Sequence, residues 1–220
     1  MTLRLAEQLD VPLRERNTLL MAAGYAPVFA ERPFDDPALH AARQRMDMVL
    51  AGHEPYPALA VDRHWTMVAA NSAVEPLLVG VSAALRRAPV NVLRLSLHPD
   101  GLAPRIANLG EWRTHLLARL ICQTDLTADP TLADLLAELI RYPAPVQRRA
   151  APTPCNSADA GVVVPLRLAT EAGLLSFFST PTVFGTPVDI TVSELALEAF
   201  FPADAATAEI LQRLAAARGT

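Results

Sequence analysis

The sequence contains no lysine, so all 19 of its Lys and Arg residues are arginine. This absence excludes enzymes that form a Schiff base on lysine, and phosphate-binding loops whose lysine reaches the phosphates. The net charge of -4 and the pI near 5.7 argue against a general nucleic-acid-binding surface, because such domains usually carry a basic excess. Arginines nevertheless outnumber carboxylates between residues 86 and 149, so a local basic surface is kept as an alternative.

Cysteines and long apolar runs are also scarce. Cys122 and Cys155 are solitary, and no histidine stands near either of them at metal-ligand spacing. We therefore expect two idle thiols rather than a zinc site or a disulfide scaffold.

No run approaches the ~18 apolar residues of a membrane-spanning helix, and the N-terminus lacks the apolar segment of a signal peptide. The sequence predicts a cytoplasmic protein with no membrane contact.

Known catalytic motifs are missing as well. The chain has no GxSxG elbow, HExxH helix, glycine-rich phosphate loop or CxxC pair, and its five histidines are scattered without paired acids. We predict no catalytic residues, no metal site and no enzyme activity. A small hydrolase or isomerase that uses His98 or His115 is the weaker alternative, and its sign would be a pocket holding one of these imidazoles beside a carboxylate or nucleophile.

An apolar content of 51% in 220 residues is enough for a real core. Apolar spacing and turn residues predict two short N-terminal helices, a linker helix and a mixed helix and strand part. The predicted helices are 3–9, 13–23, 38–50, one ending at 78, 92–97, 105–124, 130–141 and 203–217; the predicted strands are 58–61, 65–70, 162–168, 174–179 and 188–192. Residues 92–97 also alternate as a strand would, although we favour a helix. Asp10, Asn71, Asn91 and Asp129 stand where helix caps are expected.

Two parts of the chain resemble known regulators. Residues 5–17 (LAEQLDVPLRERN) and 20–27 (LMAAGYAP) resemble the last two helices of a five-helix Xre-type DNA-binding domain. A second set of stretches consists of DRHW through VAAN (62–71), NVLRL through HP (91–99), EWR (111–113) and TVFGTP (182–187). Through these stretches the chain, from about Tyr56 onward, resembles the MmyB-like ligand-binding domain.

The resemblance implies an α/β (α+β) fold of PAS-like type, with an antiparallel sheet and flanking helices around a small-molecule pocket. It also implies a fatty-acid-like ligand for the family, and a helix-turn-helix that reads operator DNA in a dimer. Residues 1–30 would be the C-terminal remnant of the helix-turn-helix domain, 31–54 a linker helix, and 55–220 the ligand-binding domain. The recognition helix would lie upstream of Met1, so we expect DNA contact only through a unit missing from this chain.

The predicted helix 105–124 contains the first candidate site residue. On a helical wheel, Arg113 lies near the middle of an apolar arc that includes Leu109, Leu116 and Leu120. A buried guanidinium needs an anion or hydrogen-bond acceptors, and a ligand carboxylate in an apolar pocket would supply them. We favour the structural alternatives, which are an internal carboxylate, the carbonyls at a helix end, or a side chain that reaches outward to solvent.

Two aromatic residues complete the candidate set. Trp65 lies on a predicted strand, where core packing is the plainer interpretation, and Phe184 lies in the segment 179–187, where a rigid hairpin is the plainer one. The predicted ligand-binding residues are Arg113, Trp65, Leu109, Leu116, Leu120 and Phe184.

A neighbouring arc of helix 105–124 is interpreted as a solvated face, or alternatively as a contact surface for DNA phosphate, the missing domain or another subunit. Its members are Arg105, Asn108, Trp112, His115 and Arg119.

The leading hypothesis is a ligand-binding and dimerisation module that regulates transcription. A small apolar or fatty-acid-like molecule would enter the core and shift how the linker helix presents the DNA-binding half of a homodimer. No cofactor is expected apart from such a bound amphipathic molecule. The alternative is a dimerisation partner that binds neither DNA nor ligand and forms inactive mixed dimers with intact relatives.

Overall fold

The computed structural model describes residues 2–143, 164–185 and 187–218. Most of the predicted connector 143–154, together with Cys155, residues 162 and 163 and Thr186, lies outside the described residues. The helices are α1 (Thr2–Gln8), α2 (Leu13–Ala22), α3 (His40–Gly52), α4 (Val92–Leu97), α5 (Leu109–Thr127), α6 (Pro130–Ile140), α7 (Ile190–Ser193) and α8 (Ala205–Arg218), with 3-10 turns at Pro37–Leu39, Glu75–Leu78 and Ala103–Arg105. The strands are β1 (Ala58–Val61), β2 (Met67–Ala70), β3 (Leu166–Thr170), β4 (Gly173–Val183) and β5 (Ala196–Pro202).

The strands of the described residues form one antiparallel sheet in the order β2-β1-β5-β4-β3. The last strand in sequence, β5, therefore lies in the centre, between the hairpin β1–β2 and the hairpin β3–β4. Because successive side chains of a strand point to opposite faces, β1, β2 and β5 contribute to two separate clusters, whereas β3 and β4 contribute to the larger one. An antiparallel sheet with flanking helices was expected from the resemblance, and the PAS-like α/β class is confirmed.

Apolar side chains are buried on both faces of the sheet. The inner face joins α4, α5, α6 and α8 in the larger cluster, to which β1 contributes Leu59 and Val61. On the outer face, Met46 and Leu50 of α3 pack against the small residues Ala58 and Ala60. The alanines let the helix approach the sheet closely, and Ala60 is fully buried. The predicted linker helix is therefore a layer of the fold.

Strand β5 was not predicted, and the strand predicted at 188–192 is wrong. Asp189 accepts a hydrogen bond from the Thr191 N–H and so begins the short helix α7 at this point. The true strand follows it and reads ALEAFFP. Its apolar residues do not alternate with polar ones, because the central strand is covered on both faces.

The predicted helix caps have mixed outcomes. Asn91 accepts from the N–H groups of Leu93 and Arg94, and Asp129 accepts from that of Thr131, so both of these caps are confirmed. The prediction for Asp10 is wrong, because Pro12 is the N-cap of α2 and no side chain bonds there. One other detail differs, since α5 begins at Leu109 instead of Arg105.

Asn71 was predicted to cap a helix, but it is a buried cross-link instead. Its Nδ2 donates to the carbonyls of Leu50 at 3.1 Å and Tyr56 at 2.8 Å, and its Oδ1 accepts from the Ala58 N–H at 3.0 Å. One side chain thus satisfies backbone groups at the end of α3, in the following turn and at the start of β1. This is a stronger constraint than a cap, since the bonds to Leu50 and Ala58 are buried and the bond to Tyr56 is partly buried.

The expectation of idle thiols is wrong for Cys122, because this residue is disulfide-bonded in the structure. Cys155 lies outside the described residues.

Among the described residues, none of the helices combines the length and the apolar character that crossing a bilayer requires.

Replacement of Asn71 by alanine should lower the free energy of unfolding by about 3 kcal/mol, because two carbonyls and one N–H lose their partner in a buried place. Urea unfolding followed by circular dichroism measures this loss. Gln212→Ala removes an amide from an exposed position on α8 and should change stability by less than about 0.5 kcal/mol. Equal stability of the two variants would contradict the cross-link role.

Candidate ligand-binding cavity

An apolar cavity of about 100 Å³ lies between the inner face of the sheet and helices α4 and α5. Most of its wall is leucine, valine and aromatic side chains, and its polar members are Ser96, Arg119, Ser179 and Glu198. The apolar part of the wall consists of Leu59, Trp65, Val74, Leu77, Leu78, Val92, Leu93, Leu95, Leu102, Trp112, Leu116, Leu166, Leu168, Phe177 and Phe200. An engineered apolar cavity of ~150 Å³ binds benzene, whereas sites for drug-sized ligands start near ~300 Å³. The cavity therefore suits a compact molecule, and a longer one needs it to expand.

Trp65 stands in the turn between β1 and β2, so its predicted place on a strand is wrong. Its φ of 65° lies in the left-handed region, which is strained for a bulky side chain. The turn is held by Asp62, whose Oδ1 accepts from the N–H groups of His64 and Thr66, both at 2.8 Å. The strained backbone directs the indole into the cavity wall.

The indole of Trp65 is also fixed from the helix side. Its Nε1 donates to Oε1 of Gln123 on α5 at 2.8 Å, and Nε2 of Gln123 donates back to the Arg63 carbonyl at 2.7 Å. One glutamine thus connects α5 to both the backbone and the side chain of the turn. A movement of the indole would therefore disturb the turn itself.

A buried ion pair forms the polar part of the cavity. Nη2 of Arg119 on α5 donates to Oε1 of Glu198 on β5 at 2.6 Å, and the guanidinium lies 4.8 Å from the centroid of the Trp65 ring. The Glu198 side chain is 6% exposed and that of Arg119 is 30% exposed. The cation–π contact and the charge pairing together offset the desolvation cost of a carboxylate in an apolar wall.

Sequence reasoning missed this pair for two reasons. Arg119 was placed on a solvated arc of the helix, and Glu198 was not considered because β5 was not predicted. A signal was present, since a carboxylate in the apolar run ALEAFF is unusual unless it has a buried partner. Recognition of β5 as a central strand would have placed Ala196, Glu198 and Phe200 on one face.

Arg113, the predicted anchor, lies outside the set of residues that line the cavity. Its Nη2 donates to the carbonyls of Leu139 and Ile140 at the C-terminal end of α6, at 3.2 and 3.0 Å. Burial lowers the pKa of this arginine, and its Nε is buried without a hydrogen-bond partner among the described residues. This geometry corresponds to the helix-end alternative that the sequence analysis favoured.

The other predicted residues are divided between the cavity and its surroundings. Trp65 and Leu116 line the cavity, and Leu120 is fully buried in the same inner cluster without reaching the wall. Leu109 packs at the edge of that cluster, whereas Phe184 packs against the outer cluster on the opposite face of the sheet. The structure therefore brings two of the predicted residues together with the Arg119–Glu198 pair.

Trp112 and the histidines complete the surroundings of the cavity. Trp112, expected on the solvated arc, lines the cavity and donates to Oγ of Ser96 at 3.0 Å. His115 lies against Trp112, and its pKa is lowered by burial and by the positive charge of Arg119. Neither His98 nor His115 is among the described residues that line the cavity, so the sign expected of a hydrolase is not seen there.

The turn that carries Trp65 is joined to the N-terminal helices by an ionic network of Arg14, Glu31, Arg63, Asp129 and Glu194. Arg63 pairs with Asp129 and lies 3.6 Å from Glu194, which accepts from Arg14 of α2 at 2.6 and 2.9 Å. Arg14 also pairs with Glu31 at 2.5 Å. Charge pairs thus connect α2, the segment before α3, the β1–β2 turn and the start of α6.

Fold and site together define a ligand-binding domain, built as an antiparallel sheet with helices that enclose a small apolar cavity. Comparison with protein families agrees: residues 42–214 match the MmyB-like transcription regulator ligand binding domain. The match spans most of the chain, and the chain belongs to this family. Its role is therefore that of a regulatory ligand-binding domain. No curated protein matches the chain.

Asp129 supplies a pH-dependent contribution to stability. Burial raises the pKa of its carboxyl, but hydrogen bonds from His64 and the Thr131 N–H, with the positive charges of Arg63 and His64, outweigh burial and lower it from 3.8 to about 2. A lowered carboxyl pKa stabilises the folded state above the unfolded value, and this contribution is lost as the pH falls from about 4 to about 2.

The variant Asp129→Asn keeps a helix cap but lacks the charge, so it should be less stable than the native chain by about 2 kcal/mol at pH 7. The difference should shrink steadily in urea titrations between pH 4 and pH 2. Asp125→Asn, at an exposed position on α5, serves as the matched control and should show little difference at any pH. A pH-independent deficit in Asp129→Asn would contradict the electrostatic explanation.

Proposed function

We propose that this chain is the ligand-sensing part of a bacterial, cytoplasmic transcription regulator. A small apolar or amphipathic molecule binds in the cavity between the sheet and α4 and α5, and its binding modulates the DNA contact of the regulator. The observation that carries the proposal is the cavity itself, in which a mostly apolar wall surrounds the Arg119–Glu198 pair. An apolar wall supplies affinity, and a few polar groups supply orientation.

The size of the cavity refines the expectation of a fatty-acid-like ligand. A volume of about 100 Å³ admits a ring or a short aliphatic group, but a long acyl chain requires side chains of the wall to move. The aliphatic leucines on α4 and α5 can change rotamer more readily than the paired and hydrogen-bonded groups at the Trp65 side. A longer ligand would therefore place its polar end near Arg119 and its tail toward α4.

We propose that α1 and α2, within residues 1–30, are the end of the DNA-binding domain, that 31–54 is the linker and that 55–220 is the sensor. The ionic network supports communication between them, because Arg14 of α2 is paired through Glu194 with the turn that carries Trp65. A ligand that prefers one position of the indole shifts the turn, and with it the Arg63–Glu194 contact. Regulation requires different affinities for the two arrangements.

The homodimer and the operator contact stay predictions that belong to this proposal. We expect the DNA contact to be made by a helix-turn-helix unit and not by the cavity domain, in keeping with the net charge of -4. We expect no cofactor other than the sensed molecule.

Native mass spectrometry of the purified chain, followed by solvent extraction, should reveal a bound small molecule. Leu116→Trp fills the cavity and should abolish this binding, whereas Leu126→Trp makes the same change on the same helix at a side chain that is 85% exposed and should retain it. A ligand-free dimer in all three proteins would favour the dimerisation-only alternative. Binding that survives in Leu116→Trp would place the ligand elsewhere.

The coupling to α2 can be tested by amide hydrogen exchange. Saturation with cyclopentanol, a compact amphipathic probe, should change exchange at residues 13–22 in the native chain. Glu194→Ala should remove this remote change while probe affinity stays within about twofold, since Glu194 is not among the described residues of the cavity wall. Glu171→Ala, at an exposed turn, should behave as the native chain. A remote change that persists without Glu194 would exclude the ionic network as the route.

A further inference from the structure

Glu198 carries an unused hydrogen-bonding capacity in the cavity. The residue is 4% exposed and lies in the central strand, opposite Leu59 of β1 and Pro181 of β4. Its Oε1 pairs with Arg119, whereas no hydrogen bond to its Oε2 is seen among the described residues, and this oxygen keeps some accessible surface. A buried charged acceptor that makes only part of its bonds is unfavourable, so a partner for this oxygen would add binding free energy.

Most other polar groups of the wall are engaged or can be hydrated, and Ser179 is half-buried. The indole N–H groups of Trp65 and Trp112 are donated to Gln123 and Ser96. Arg119 is 30% exposed, so water can hydrate its remaining N–H groups. The need for a new partner is therefore greatest at Oε2 of Glu198. Because this oxygen is an acceptor, the partner must be a hydrogen-bond donor.

We infer that the cavity selects a neutral, compact and mostly apolar molecule that presents a hydrogen-bond donor, such as a hydroxyl or an amide N–H, to Glu198. The inference rests on the proposed function, because it specifies the ligand chemistry of the same cavity. Ionised carboxylates are disfavoured, since they bring a second negative charge to a poorly solvated carboxylate. A fatty-acid-like ligand would have to bind in its neutral form.

Two isomeric probes isolate the donor. Cyclopentanol and tetrahydropyran have the same atoms and a similar size, but only cyclopentanol has a hydroxyl to donate. The chain contains two tryptophans, and both line the cavity, so their indole N–H signals in NMR titrations of the full chain report binding there. Cyclopentanol should bind about tenfold more tightly than tetrahydropyran, as expected for a hydrogen bond to a charged group. Cyclopentanecarboxylate should bind no better than tetrahydropyran.

The variant Glu198→Gln should reverse the preference. Its amide oxygen can accept from Arg119 while its N–H group is turned to the cavity, so the site then favours an acceptor, and the affinity ratio should fall to one or invert. Glu209→Gln, at an exposed position on α8, is the matched control and should keep the native ratio.

The outcomes separate this inference from the proposed function. Equal binding of both isomers, or tighter binding of the carboxylate, by the native chain overturns the donor requirement and leaves the cavity as a ligand site. Failure of all three probes to bind counts against the cavity as a ligand site, and so against both the donor requirement and the proposed function. The native comparison needs no variant, so it decides the question even if Glu198→Gln fails to fold.

Discussion

The pairing of β5 with both neighbouring hairpins is the constraint on which the rest of the structure depends. The strand bonds to β1 on one side and to β4 on the other, and so converts two hairpins that are distant in sequence into one sheet. The same pairing places Glu198 opposite α5. Without β5 there would be no inner face to enclose a cavity, and Arg119 would have no buried partner.

The cavity is stabilised by polar contacts rather than by its apolar wall alone. Trp65 is held by Gln123, by the strained turn and by the guanidinium of Arg119, which is itself paired with Glu198. A buried pair of this kind contributes little net stability, but breaking either partner is costly. Such contacts fix the geometry of the wall, and any ligand that rearranges it must compensate for the contacts that it breaks. This is a suitable basis for a sensor, because the response depends on which contacts the ligand replaces.

In the proposed function, sensing and output are connected through the polar contacts of the β1–β2 turn. The turn after β1 contains both Trp65, which reaches the cavity, and Arg63, which reaches Asp129 and Glu194. The residue that reaches the cavity and the residue that belongs to the ionic network are thus separated by one position in the same turn. The outer face of the sheet is covered by α3, whose Met46 and Leu50 pack against β1. A change in the sheet can therefore reach α3 by packing and α2 by charge.

Local chemistry was sufficient to predict much of this protein. Helix caps such as Asn91 and Asp129, the helical spacing of α5 and α6, and the hairpin at β1 and β2 could be predicted because each depends on residues within a few positions of one another, whereas the class of fold was expected from the family resemblance. What only the tertiary structure decided depends on contacts far apart in the chain: β5 as central strand, Asn71 as a cross-link, and the Arg119–Glu198 pair, whose members are separated by 79 positions. The sequence determined which side chains could bind a ligand or pair with a charge, and long-range strand pairing decided which of them meet.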